Sequence, residues 1–323
     1  MTSLSTYFNF FIALVFILAI GSNILSIVYE LFVYYIKQRA DFLKKAIQDV
    51  LNDPLIKDVN LTERFYNHPQ IDITKKTYRH LPQYISSKNF AQTLVDVLCR
   101  RYEIQHTKIT RKPNGEGEII KPELPTDQLL KFKLAVSDLP YSDLQILLNG
   151  FVSNSQEKLE NLFVVMETWF TEYMNRVTGW YKVMAQKQMF ILAIGLTIIF
   201  NFDLFHIAST LLSNKALTAQ IASAANNAQP VKIDSIKNDA EWKRAVQRKD
   251  SLISELYKLN APIGWQNIRY ELKQTSSKHF WFWFTKIFGW LTSAAALSFG
   301  APFWFDLLSN LVNLRKSGVK PVN

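Results

Sequence analysis

Cysteine is almost absent from this chain of 323 residues: Cys99 is the only one. That excludes an intramolecular disulfide and a cysteine-cluster metal site, and a lone thiol suits a reducing cytoplasm. Catalytic signatures are missing too. No glycine loop that cradles phosphate is present, and no GxSxG, HExxH or paired CxxC occurs. His68, His80, Cys99 and His106 share one region without the spacing of a zinc site, so neither metal nor cofactor is expected. Basic residues are lacking from one long stretch. Residues 7–36 hold no Lys or Arg, and Glu30 is their only acid.

What is present is segregated. Hydrophobic residues make up 48% of the chain while its mean hydropathy is −0.01, so very apolar blocks must alternate with ordinary soluble sequence. The blocks are residues 7–36, 189–208 and 287–308. Each is about 20 residues or longer, enough to cross a hydrocarbon core of ~30 Å. The first lacks the basic leader and small-residue cleavage site of a signal peptide, and its apolar part is too long, so it reads as a retained anchor.

The net charge of +10 does not require nucleic acid as a partner. Basic residues collect beside the apolar blocks, where anionic headgroups would meet them: Lys37, Arg39, Lys44 and Lys45, then Arg176, Lys182 and Lys187, then Arg315, Lys316 and Lys320. This bias places the amino terminus outside and the carboxyl terminus in the cytoplasm. The intended outer loop is itself basic (Lys237, Lys243, Arg244, Arg248 and Lys249), which opposes that orientation.

Helical spacing continues past Ile36 through Ala40, Leu43, Ile47 and Leu51 to Pro54. Ser86 and Ser87 are placed to cap a helix that carries Phe90, Leu94, Val97 and Leu98 on one face. Asn114-Gly115 suits the turn of a hairpin within 104–122, and two short helices follow at 129–139 and 144–152. From Ser155 a stripe of Leu162, Met166, Phe170, Val177 and their neighbours runs without a pause to Ser213. The expected fold is therefore mainly α, an integral membrane protein with three transmembrane helices. Its parts are a first span at 1–36, a cytoplasmic helical domain at 37–187, and a second span at 188–213. An extracytoplasmic helical loop at 214–279, a third span at 280–314 kinked at Gly300–Pro302, and a tail at 315–323 complete it.

Several stretches carry a resemblance: HPQI at 68–71, LPQYISSKNFAQTLVDVL at 81–98, WFTEYMNRVTGWY at 169–181, NFDLFHIASTLL at 201–212, APIGW at 261–265 and GAPFWFDLLSNLVNLRKSG at 300–318. In these the chain resembles a group of uncharacterised bacterial inner-membrane proteins, GAPFWFDLL being the most specific match. The resemblance implies a bacterial inner-membrane setting and a shared fold, and it implies no chemistry.

Polar residues inside apolar segments are costly and are the natural site candidates. Asp203 and His206, with Asn201 and Ser209 nearby, are expected on one face of the second span, as a proton or cation relay or as an interhelical lock. The lock is favoured because the pair is solitary. Asp306, Asn310 and Asn313 form a stripe on the third span, fit either to line a pore between subunits or to satisfy carbonyls freed at Pro302. Asn23, Ser26 and Glu30 form a similar stripe on the first. Gly289, Ser293, Ala296 and Gly300 make a small-residue face for close helix packing, and Lys286 is expected to reach the outer headgroups.

The function class expected from these features is a non-catalytic structural or interaction protein. It would form homo-oligomers among membrane lipids and present its cytoplasmic domain to a protein partner. An oligomeric channel or transport component is the alternative, and a membrane-embedded enzyme ranks third for want of a nucleophile or clustered acids.

Overall fold

The computed structural model describes residues 2–57, 60–72, 81–111, 117–120, 125–226, 236, 238–266 and 279–317. The fold is nearly all helical, and the chain divides into two compact units: Lys37–Lys182, and Met1–Ile36 together with Val183–Asn323.

The Lys37–Lys182 unit holds α2 (Gln38–Leu51), α3 (Leu61–Tyr66), α4 (Pro69–Asp72), α5 (Ser87–His106), β1 (Lys108–Arg111), β2 (Gly117–Ile120), α6 (Gln128–Ser137), α7 (Asp143–Asn154) and the first part of α8 (Leu159–Ile199). Local chemistry sets the helix starts. The side chains of Asn60, Ser86, Asp127 and Ser142 accept backbone N–H groups at the N-termini of α3, α5, α6 and α7. Each such cap satisfies a donor that the first helical turn leaves unpaired. Phe90, Leu94, Val97 and Leu98 on α5 are all buried, as their spacing predicts. They meet Leu162, Met166 and Phe170 of α8 in one core with Phe65, Phe132 and Phe151. Phe90 stacks on Phe170 with ring centroids 4.1 Å apart.

β1 and β2 pair antiparallel, with Lys108 opposite Ile120 and Arg111 opposite Gly117. The expected hairpin forms, while its Asn114-Gly115 turn lies outside the described residues. Cys99 lies buried on α5, and burial pushes its thiol up to about 11. Because only the thiolate reacts, native protein at pH 7.5 is expected to resist iodoacetamide and to label fully once denatured. Labelling of native protein as fast as that of free cysteine would contradict the burial.

The other unit is organised around α1 (Thr2–Tyr35), with the end of α8, α9 (Leu204–Ser213), α10 (Lys215–Ala225), α11 (Asp239–Lys258), α12 (His279–Ser298) and α13 (Ala301–Ser317). Helices α9 to α13 all pack on α1. Ile12, Phe16, Ile17, Ile20, Leu25 and Ile27 of α1 are each no more than 2% exposed. Two helices are long and apolar enough to cross a membrane, and the bent pair α12–α13 makes a third if it is one span. Their surroundings differ sharply. The most apolar window of α1 is 78% buried within the protein, whereas that of α8 is only 11% buried.

Three expectations need correction. The first helix does not run on to Leu51. Lys37 takes a left-handed φ of 55°, and its carbonyl accepts the first amides of a new helix from Ala40 and Asp41. The helix from Ser155 does not reach Ser213 either; α8 stops at Ile199, and Asn201 has a φ of 44°. The segment 214–279, expected as an extracytoplasmic helical loop, holds two described helices. Its α10 and α11 lie against α1, and the Tyr34 hydroxyl donates to Asp239 Oδ1 at 2.6 Å, three residues from Lys37. The cause is an apolar stripe on the charged α11, whose Leu252 and Leu256 are buried. Finally, Gly300–Pro302 is a bend of 87° rather than a kink. Gly300 adopts a φ of 87°, open to a residue without Cβ, and Pro302 sits in the first turn of α13, where its missing N–H costs nothing.

Candidate functional site: a polar node at a broken helix

The break between α8 and α9 frees backbone groups inside an apolar unit, and each such group costs several kcal/mol if left unpaired in hydrocarbon. The surrounding residues answer that demand one by one. Phe202 N donates to Thr197 O at 2.7 Å and Gly264 N to Phe200 O at 2.7 Å. The Trp265 indole N–H is shared by the carbonyls of Ile198 and Ile199, at 3.1 Å each. Asn201 donates to Gly264 O at 2.8 Å and accepts from the Trp290 indole at 3.1 Å. Gly264 holds this position with a φ of 100°, a backbone conformation open to glycine.

Asp203 has two jobs here. Its Oδ1 caps α9, accepting from Phe205 N at 3.0 Å and His206 N at 3.3 Å. Its Oδ2 lies 3.3 Å from Lys286 Nζ on α12. Asp203 is 5% and Lys286 3% exposed, so the pair is enclosed. Gly289 makes room for it, since a methyl group there would collide with the Asp203 carboxylate. One turn on, Ser293 Oγ donates to Gly289 O and accepts from Leu204 N, both at 2.8 Å. The node lies beside the middle of α1: a methyl on Gly21 would press on Phe202 and Leu297, and Ser22 Oγ donates to Leu297 O at 3.0 Å.

Asn201, Asp203, His206, Lys286, Gly289 and Ser293, all singled out in the sequence, meet at this node in altered roles. Asp203 and His206 do not share the face of one long helix; Asp203 is the N-cap, and half-buried His206 sits in the first turn of α9. Lys286 does not reach toward headgroups, because a buried carboxylate from the neighbouring helix break lies within reach. Gly289 and Ser293 pack inside the chain against that break. Ala296 O accepts the Trp304 indole N–H at 2.8 Å, which ties α12 to α13 across the Gly300 bend.

Two stripes lie apart from the node. Asn23 is fully enclosed, and among the described residues neither its amide nitrogen nor its oxygen has a hydrogen-bond partner. Ser26 Oγ donates back to Ser22 O at 2.8 Å, and Glu30 is half-buried. Asp306, Asn310 and Asn313 are exposed together on α13, on the side opposite buried Phe305, Leu308 and Val312. Of the histidines and cysteine weighed as metal ligands, His68 pairs with Asp96, His106 lies 3.5 Å from Asp138, Cys99 is buried, and His80 lies outside the described residues.

Gly264, Trp265 and Trp290 are node residues that spacing alone did not reveal. The one local signal was an Asn and an Asp, at 201 and 203, set into an apolar run. Chemically the node is a lock: its donors and acceptors answer one another across α8, α9 and α12. No family model, curated protein or solved structure matches the chain.

Proposed function

We propose that this protein is a non-catalytic, membrane-anchored interaction protein of the bacterial inner membrane, built on three crossings: α1, the end of α8, and the α12–α13 pair. Its helical unit Lys37–Lys182 meets a protein partner in the cytoplasm, and the amino terminus lies outside. The observation that carries this reading is the bare apolar end of α8. Val183, Ile191 and Ile199 are each at least 53% exposed there, and Phe280, Phe284 and Phe288 on α12 are exposed as well. Apolar surface of that extent is covered in a living cell by lipid or by protein.

Only part of α1 needs to lie in the bilayer. At 1.5 Å per residue its 31 apolar residues extend ~46 Å, against ~30 Å of hydrocarbon. The uncovered face of α8 also supports self-association, as further copies and lipid compete for the same surface. The mass of the purified protein in lipid nanodiscs tests this part, with several copies per disc expected and a strict monomer overturning it.

A channel is the second reading, favoured by one observation: Asp306, Asn310 and Asn313 are exposed as a single stripe on α13. On that reading, liposomes holding the protein pass ions and Asp306→Asn alters their selectivity. Absence of flux at every voltage removes it.

A further inference from the structure

The Lys37–Lys182 unit contains a polar cleft of about 490 Å³ between α3, the turn after it, and α5. Asn60, Arg64, Asn67, His68 and Arg100 line it, with Glu63 at its exposed rim. Small-molecule sites occupy roughly 300–1,000 Å³. Two cations, Arg64 and Arg100, face the same space from different helices, and two side-chain amides accompany them.

Arg100 is held in place. Asp96 Oδ2 receives both Arg100 Nε and His68 Nε2, each at 2.7 Å. Gln70 N donates to His68 Nδ1 at 3.3 Å, which leaves Nε2 as the nitrogen that donates to Asp96. Fully buried Thr93 braces this arrangement by donating to Gln70 Oε1 at 3.2 Å. With its burial, Thr93 is no nucleophile for a Thr–His–Asp triad. The effect of the chain is to anchor the guanidinium of Arg100 through Nε and leave its terminal nitrogens for the cleft. Arg64 pairs with no carboxylate among the described residues, and Asn60 uses only its oxygen, in capping Glu63 N.

An arginine fixed by Nε, a second arginine without a carboxylate partner among the described residues, and side-chain amides offer several donors to one ligand, while Asp96 and Glu63 offset part of the positive charge. Guanidinium groups recognise oxyanions through paired N–H donors, and a phosphate can accept from more of them than a carboxylate can. We propose that this cleft binds a phosphate group, with the remaining volume taking the small organic body that carries it. Asp96 and His68 are positioning residues, and Arg64 and Arg100 make the contact. The phosphate could be that of a free phosphate ester or of a phospholipid headgroup.

Calorimetric titration of the full-length protein, in a phosphate-free sugar detergent, tests the proposal. Inorganic phosphate and glycerol 3-phosphate form one arm, and short-chain phosphatidylglycerol in the same micelles forms the other. Saturable binding is expected in at least one arm, weakened about ten-fold or more by Arg64→Gln and by Arg100→Gln, the cost of losing one charge-assisted contact. Both arginines lie at the cleft surface, so these variants are expected to fold, and an unchanged melting curve checks that they do. Binding of the free esters identifies a soluble ligand; binding of the lipid alone, with the same loss in the variants, identifies a headgroup. No saturation in either arm, or full binding by the folded variants, overturns the proposal.

Discussion

Asp203→Ala is expected to destabilise the unit built on α1 by about 3–5 kcal/mol, because it strands the ammonium of Lys286 in an enclosed, apolar setting. The same change removes the cap of α9, which alone is worth about 1 kcal/mol. A buried ion pair and its apolar replacement are often close in stability, so the double change Asp203→Leu with Lys286→Met is expected to recover most of the loss. What it does not recover should equal the cap. Gly289→Ala approaches the same pair from the other side, since its methyl would displace the Asp203 carboxylate. Reversible unfolding in mixed detergent micelles, followed by tryptophan fluorescence, measures these variants together with Asp203→Leu and Lys286→Met singly. If the losses of Asp203→Leu and Lys286→Met simply add in the double change, the pair does not couple and the lock is misread.

Phe90→Ala is expected to cost the Lys37–Lys182 unit about 3–5 kcal/mol, the usual range for emptying a large aromatic site in a packed core. Phe90 is fully buried, stacks on Phe170 at 4.1 Å, and lies 5.6 Å from Phe65 and 6.3 Å from Trp169. No small side chain can refill a space bounded by three other aromatic rings. Loss on this scale is a large part of the stability of any single domain. Limited proteolysis reports it directly: cleavage inside 37–182 should accelerate by orders of magnitude, while fragments of the other unit persist. Equal acceleration in both units would show that they unfold together.

The contrast between these two sites shows what was legible in the residues. The face that carries Phe90, Leu94, Val97 and Leu98 repeats at helical spacing between a serine cap and a polar run, so its burial could be read in advance. The same holds for Leu162, Met166 and Phe170 on α8. The break at Asn201 could not be read that way, because hydropathy stays high on both sides and periodicity does not register a change of direction. Asp203 was conspicuous as a charge in an apolar run, but its partner was not. Lys286 sits 83 positions later, beside an aromatic run that also fits an interface. The packing of α10 and α11 on α1 was hidden for a related reason. An amphipathic stripe declares that it needs cover without naming what covers it, and a charged helix of 20 residues reads equally well as a surface loop.

The proposed interaction role requires the Lys37–Lys182 unit to lie on the cytoplasmic side of a membrane. A single cysteine at Glu157, whose side chain is 88% exposed, in a Cys99→Ser background provides the measurement. A membrane-impermeant maleimide is applied to spheroplasts before and after they are opened. The account predicts labelling only after opening, with the protein remaining in the membrane pellet after carbonate extraction. Labelling of intact spheroplasts, or release of the protein by carbonate, would contradict it.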